Sequence, residues 1–184
     1  MEIKYFNSNF DKITQNKDTD QSITNLIEKL PSLNIVSDKN LLEETIKISN
    51  QFKEKKEKII VFGTGGSNLG ARALNNIISN NKIILEFYDN VDPINFEKNF
   101  QNINFELTGF LVISKSGTTP ETLSQFSCLY QKAIEANKVE DFFSNTLIIT
   151  EFKESPLFKI AKDNNCLLLE PVSYTHLRAH ETSP

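Results

Sequence analysis

Five short apolar runs, set between longer amphipathic stretches, constrain this chain more than any other feature. They lie at residues 59–62, 83–88, 110–113, 147–149 and 167–169. Each is too short for a helix. Each also lacks the alternation of a strand with one wet face, so each reads as a strand buried on both sides. The stretches between them, near 67–79, 93–100, 119–136 and 156–164, read as helices. Such an order predicts an α/β fold, a five-stranded parallel doubly wound sheet preceded by a short helical segment. In that segment Ile23, Leu26, Ile27 and Leu30 fall at i, i+3, i+4 and i+7, and Pro31 ends the stripe. A second helix is expected over 38–56, with Leu41, Leu42, Ile46, Ile48 and Phe52 as its apolar set. In the helix over 119–136 the expected buried stripe is Leu123, Phe126, Tyr130 and Ile134.

At 184 residues the chain is expected to divide into an arm with helices (1–56), the sheet domain (57–170) and a tail (171–184). The tail holds both histidines, His176 and His180, and has no helical or strand period. It resembles the translated read-through of a sequencing adapter and is expected to be non-native. A net charge of −4 argues against nucleic acid as a partner, because no basic surplus exists to meet a phosphate backbone. No apolar run approaches the ~20 residues of a membrane span, and the polar start lacks a signal-peptide core. Cys128 and Cys166 read as two buried thiols, not a disulfide or metal site. The expected setting is the cytoplasm, with no metal and no cofactor.

Two loops carry the candidate chemistry. Gly63-Thr64-Gly65-Gly66-Ser67 follows the first run, and Ser114-Lys115-Ser116-Gly117-Thr118-Thr119-Pro120-Glu121-Thr122 follows the third. Each stands where a buried strand hands over to a helix. Backbone N–H groups and the positive end of the helix dipole then favour an anion. In the common strand order 2-1-3-4-5 the first and third strands are neighbours, so the two loops would flank one crevice at the carboxyl edge. Gly65 and Gly66 would let backbone approach an anion closely. Ser67, Ser114, Ser116, Thr118 and Thr119 offer hydroxyl donors, and Lys115 offers a point charge. Together they point to a phosphorylated small molecule. Helix capping is also legible here: Thr118 with Glu121 fits a capping box, and Thr119 followed by Pro120 fits an N-cap with proline at N1.

Two competing motifs fail on single residues. A dinucleotide fingerprint from Gly63 needs glycine where Asn68 stands, and the spacing of Gly65 and Gly70 lacks the lysine of a phosphate-binding P-loop. Asp89, at the end of the second run, reads as a polar strand end.

Gly63-Thr64-Gly65-Gly66-Ser67-Asn68-Leu69-Gly70-Ala71-Arg72-Ala73 resembles the first sugar-phosphate loop of the glucose-6-phosphate isomerase family, within the wider sugar isomerase (SIS) fold. Ser114 through Thr122 resembles the second, and Tyr88-Asp89-Asn90-Val91-Asp92-Pro93 is similar to the segment between them. The resemblance runs from about residue 20 to Glu170. It implies an SIS-like sheet and an aldose–ketose isomerase of glycolysis and gluconeogenesis. That reaction interconverts glucose 6-phosphate and fructose 6-phosphate through an enediol. By resemblance, Gly66, Ser67, Ser114, Lys115, Ser116 and Thr119 hold the substrate, chiefly its phosphate. The family's proton-transferring Glu, ring-opening His and Lys, and enediol-stabilising Arg lie further along its chain and find no match here. The resemblance therefore implies an amino-terminal portion of a homodimeric parent, binding sugar phosphate but inactive alone. The alternative is a sugar-phosphate-sensing SIS domain of a regulator.

Overall fold

A computed structural model describes residues 37–78 and 82–171. The expected arm over 1–18, the helix around residues 23–30 and tail residues 172–184 lie outside the described residues. Those described belong almost wholly to the second of two units into which the chain divides, residues 40–184.

Helix α1 (Lys39–Lys53) leads into strand β1 (Lys58–Phe62), a 3-10 turn (Gly65–Ser67) and α2 (Leu69–Ile77). Strand β2 (Ile84–Tyr88), α3 (Pro93–Asn99), β3 (Thr108–Ile113) and α4 (Pro120–Glu135) follow. Then come α5 (Val139–Ser144), β4 (Thr146–Ile149), α6 (Pro156–Asp163) and β5 (Leu167–Leu169). All five apolar runs are strands. They pair in parallel in the order β2-β1-β3-β4-β5. The first and third strands are thus neighbours, as expected.

The main core lies on one face of the sheet. Ile60, Phe62, Phe110, Val112 and Ile148 of the strands meet Phe126, Leu129 and Ala133 of α4, Phe142 of α5, and Leu157 and Ala161 of α6. Aromatic rings hold this layer together: Phe110 and Phe142 sit 5.0 Å apart, Phe126 and Phe142 5.2 Å. The opposite face buries Ile59, Val61 and Leu147 under Phe52 of α1. An apolar groove of about 540 Å³ runs along that face, lined by Phe52, Val61, Leu85, Leu111 and Leu147 among others.

Three expectations need correction. In α1 only Phe52 is buried and Ile48 packs partly buried beside it; Leu42 and Ile46 are exposed. Of the expected α4 stripe, Phe126 is buried and Leu123 and Tyr130 pack partly buried on the core, but Ile134 is exposed; Thr122, Gln125, Leu129 and Ala133 are buried as well. An apolar-only count overlooked Thr122, Gln125 and Ala133, which are buried although polar or small. Finally, Cys166 is buried but Cys128 is exposed on α4.

Candidate functional site

Both Gly/Ser-rich turns leave the carboxyl edge of the sheet from neighbouring strands. Phe62 of β1 is level with Val112 of β3. Gly63 then lies against Ile113, since a Cβ built on it would stand 3.4 Å from the Ile113 carbonyl oxygen.

The first turn is short and tight. Thr64 is extended, and Gly65 enters the 3-10 turn with φ at +52°, where glycine carries no steric penalty. Ser67 N–H donates to the Thr64 carbonyl at 3.1 Å and Asn68 N–H to that of Gly65 at 3.1 Å. Gly65 and Gly66 are exposed, and Ser67 is half-buried. Asn68, which breaks the dinucleotide pattern, is a buried tie: its Nδ2 donates to the Gly63 carbonyl at 3.0 Å.

The second turn is organised from inside. Ser114 is buried, its Oγ accepts from Gly117 N–H at 3.1 Å, and it shares a 2.8 Å hydrogen bond with Thr119 Oγ1. Thr118 donates twice to Ser116 Oγ, from its N–H at 3.3 Å and its hydroxyl at 3.0 Å. Ser116 is exposed and keeps its own hydroxyl proton to donate outward. Of the two capping arrangements, the structure takes Thr119 as N-cap and Pro120 at N1. Glu121 is therefore one position short of a capping box. Thr119 makes no side-chain cap, because its hydroxyl is turned to Ser114. The first turn of a 16-residue helix thus keeps its N–H dipole uncapped by a side chain.

The β4–α6 loop braces this turn. Glu151 N–H donates to the Lys115 carbonyl at 3.0 Å and Leu157 N–H to that of Gly117 at 3.2 Å. Lys115 Nζ stands 3.8 Å from the Glu151 carboxylate, whereas Lys153 holds that carboxylate at 2.9 Å. Lys153, followed by Lys115, lowers the Glu151 carboxyl below the usual carboxylate range against the opposing effect of burial. Since Lys153 is the closer partner, Lys115 retains a charge for an anion.

A groove of about 620 Å³ along β2 carries Lys58, Arg72, Glu86 and Asp89. Four of its charges are paired, Lys58 with Glu86 at 2.9 Å and Arg72 with Asp89 at 3.2 Å, and Lys98 also lines it. Among the described residues no group of three or more His, Cys, Asp or Glu is placed to hold a metal ion. No described helix is long and apolar enough to cross a membrane.

Sequence reasoning missed Gln125, and gave no role to Thr122 at the end of the second motif or to Asn68 within the first. All three are essentially fully buried beside the turns. The available signal was polar residues at inward positions of α4.

The profile of the phosphoglucose isomerase family matches residues 18–168. Over 125 residues the chain is 35% identical to the glucose-6-phosphate isomerase of Prochlorococcus marinus subsp. pastoris, covering 66% of this chain and 23% of that protein. It is 36% identical over 127 residues to a probable glucose-6-phosphate isomerase of Methanococcus maripaludis, covering 66% and 28%. The chain thus spans about a quarter of the length of these curated relatives. The crystal structure of a glucose-6-phosphate isomerase from Chlamydia trachomatis superimposes with a TM-score of 0.62 at 22% identity, over 72% of this chain and 26% of that one. At that identity it speaks for the fold alone.

Proposed function

This chain belongs to the phosphoglucose isomerase family, and from that premise we propose that its two turns jointly hold the phosphate of a sugar phosphate. The residues assigned are Gly66, Ser67, Ser114, Lys115, Ser116, Thr118 and Thr119, within a binding unit over residues 57–170. The supporting observation is the departure of both turns from adjacent strand ends at one edge of the sheet. Ser116 and the first turn of α4 supply outward donors, Thr118 orients Ser116 by donating to its Oγ, and Lys115 supplies charge; charge-assisted bonds to phosphate are roughly twice as strong as neutral ones. Ser114 and Thr119 contribute by shaping the turn, since their hydroxyls are engaged with each other.

The whole protein's reaction, in this reading, interconverts glucose 6-phosphate and fructose 6-phosphate through an enediol, in the cytoplasm and as a homodimer. Phosphate capture alone is binding; isomerisation also needs a base within hydrogen-bond reach of the carbon-bound proton. Glu121, exposed at the start of α4, is not assigned that role, and the 184-residue chain is inactive by itself. A sensing domain of a regulator shares the second turn, but the family matched over residues 18–168 is that of the isomerase. Calorimetric titration tests the reading: 6-phosphogluconate binds and NAD does not, while a coupled assay detects no turnover of glucose 6-phosphate. Preference for NAD, or turnover by this chain alone, overturns it.

A further inference from the structure

Helix α4 places two polar side chains, Thr122 and Gln125, where an apolar residue would pack without cost. Both are buried, and Thr122 Oγ1 and Gln125 Oε1 find no partner among the described residues; neither does Oδ1 of buried Asn68. A buried polar atom left unpaired costs about 1–3 kcal/mol. Three such atoms at the carboxyl edge ask for a reason beyond packing.

The hydrogen bonds that these side chains do make supply one. Gln125 Nε2 reaches out of α4 to the carbonyls of Asn90, at 2.8 Å, and Tyr88, at 3.4 Å, at the end of β2. The Tyr88 carbonyl also receives Gly63 N–H at 3.4 Å, the first residue of the first turn. The Gly63 carbonyl in turn receives Asn68 Nδ2. An unbroken chain therefore runs from the helix that begins in the second turn, across the β2 end, into the first turn. Gly63 also packs against Ile113, and β1 and β3 pair directly below the turns.

We propose that Gln125 is a positioning residue: its carboxamide fixes the first turn against the start of α4, so that both turns present donors to one phosphate ester. This rests on the sugar-phosphate reading above. An apolar residue of equal size would fill the space but hold neither carbonyl, leaving the first turn without its tie to α4.

The test uses the full chain with two substitutions on the same helix. Gln125→Met keeps the volume and removes the donors; Leu129→Ala opens the core away from the turns. Calorimetry with 6-phosphogluconate is run where thermal melts show every variant folded. Gln125→Met is expected to weaken binding about tenfold, the equivalent of one net hydrogen bond. Leu129→Ala lowers the melting temperature at least as much and leaves affinity unchanged. Hydrogen exchange without ligand reads the tie itself: the Gly63 amide exchanges about tenfold faster in Gln125→Met, and no faster than the rest of the core in Leu129→Ala. Unchanged Gly63 exchange, or affinity that falls with stability in both variants, overturns the assignment. Absence of binding by the unsubstituted chain would reject the sugar-phosphate reading, while the exchange arm still decides the role of Gln125.

Discussion

Gly117 concentrates the constraints on the second turn. Its φ is +68°, and a Cβ there would collide with Ser155 Oγ and stand 2.9 Å from Thr150 Oγ1. Gly117→Ala therefore meets both a backbone penalty of about 1–2 kcal/mol and a steric one from the β4–α6 loop. A melting temperature lower by at least ~3 °C is expected for a domain of this size. Loss of 6-phosphogluconate binding should accompany it, because the turn can relieve the collision only by moving away from α6. A melting curve and a titration unchanged from the unsubstituted chain would contradict this. Tyr88 gives a second reading at this scale. Burial, and then the Glu86 carboxylate that its hydroxyl meets at 3.3 Å, push the phenol from 10.0 up to about 12. The folded chain thus keeps this proton to higher pH than the unfolded chain. Its contribution is intact below pH 10 and is lost as pH rises through about 12. Ultraviolet titration should show one phenol ionising near 12 in the folded chain and at its ordinary value in urea.

Elements differed in how far the sequence exposed them. The strands were legible because each is a short, nearly continuous apolar run set between longer amphipathic stretches. The starts of α3 and α6 are fixed by caps that sequence reasoning did not use: Asp92 accepts from the Ile94 and Asn95 N–H groups, Ser155 from that of Phe158, and a proline follows each. Helix α5 was not foreseen. Its six residues, Val139–Ser144, hold no full apolar period, and it is fixed by tertiary packing of Phe142 and Phe143 on Phe126 and Tyr130. Phe142→Ala should then cost about 3–5 kcal/mol, far more than the ~1 kcal/mol expected for removing the Asp92 cap by Asp92→Ala. Urea unfolding of the two variants checks this order, and equal costs would mean that α5 is held by something other than its rings. The site was half legible for a related reason. Glycine and hydroxyl residues in a turn announce donors. Gln125 lies outside both motifs and Asn68 just past the glycines of the first, and their carboxamides act through carbonyls 35 and 5 residues away.

At the scale of the molecule, topology joins what the sequence keeps apart. The two turns begin about fifty residues from one another, yet the order β2-β1-β3-β4-β5 sets their strands side by side. A parallel sheet with this order has its crevice where the chain reverses direction between β1 and β3, which is where both turns stand. The most direct measurement is a two-dimensional amide NMR titration of the chain with 6-phosphogluconate. A single phosphate held by both turns predicts that the amides of Gly65, Gly66 and Ser67 and those of Ser116, Gly117, Thr118 and Thr119 shift together along one binding curve. Shifts confined to one turn, or two curves with different midpoints, would contradict a shared phosphate site.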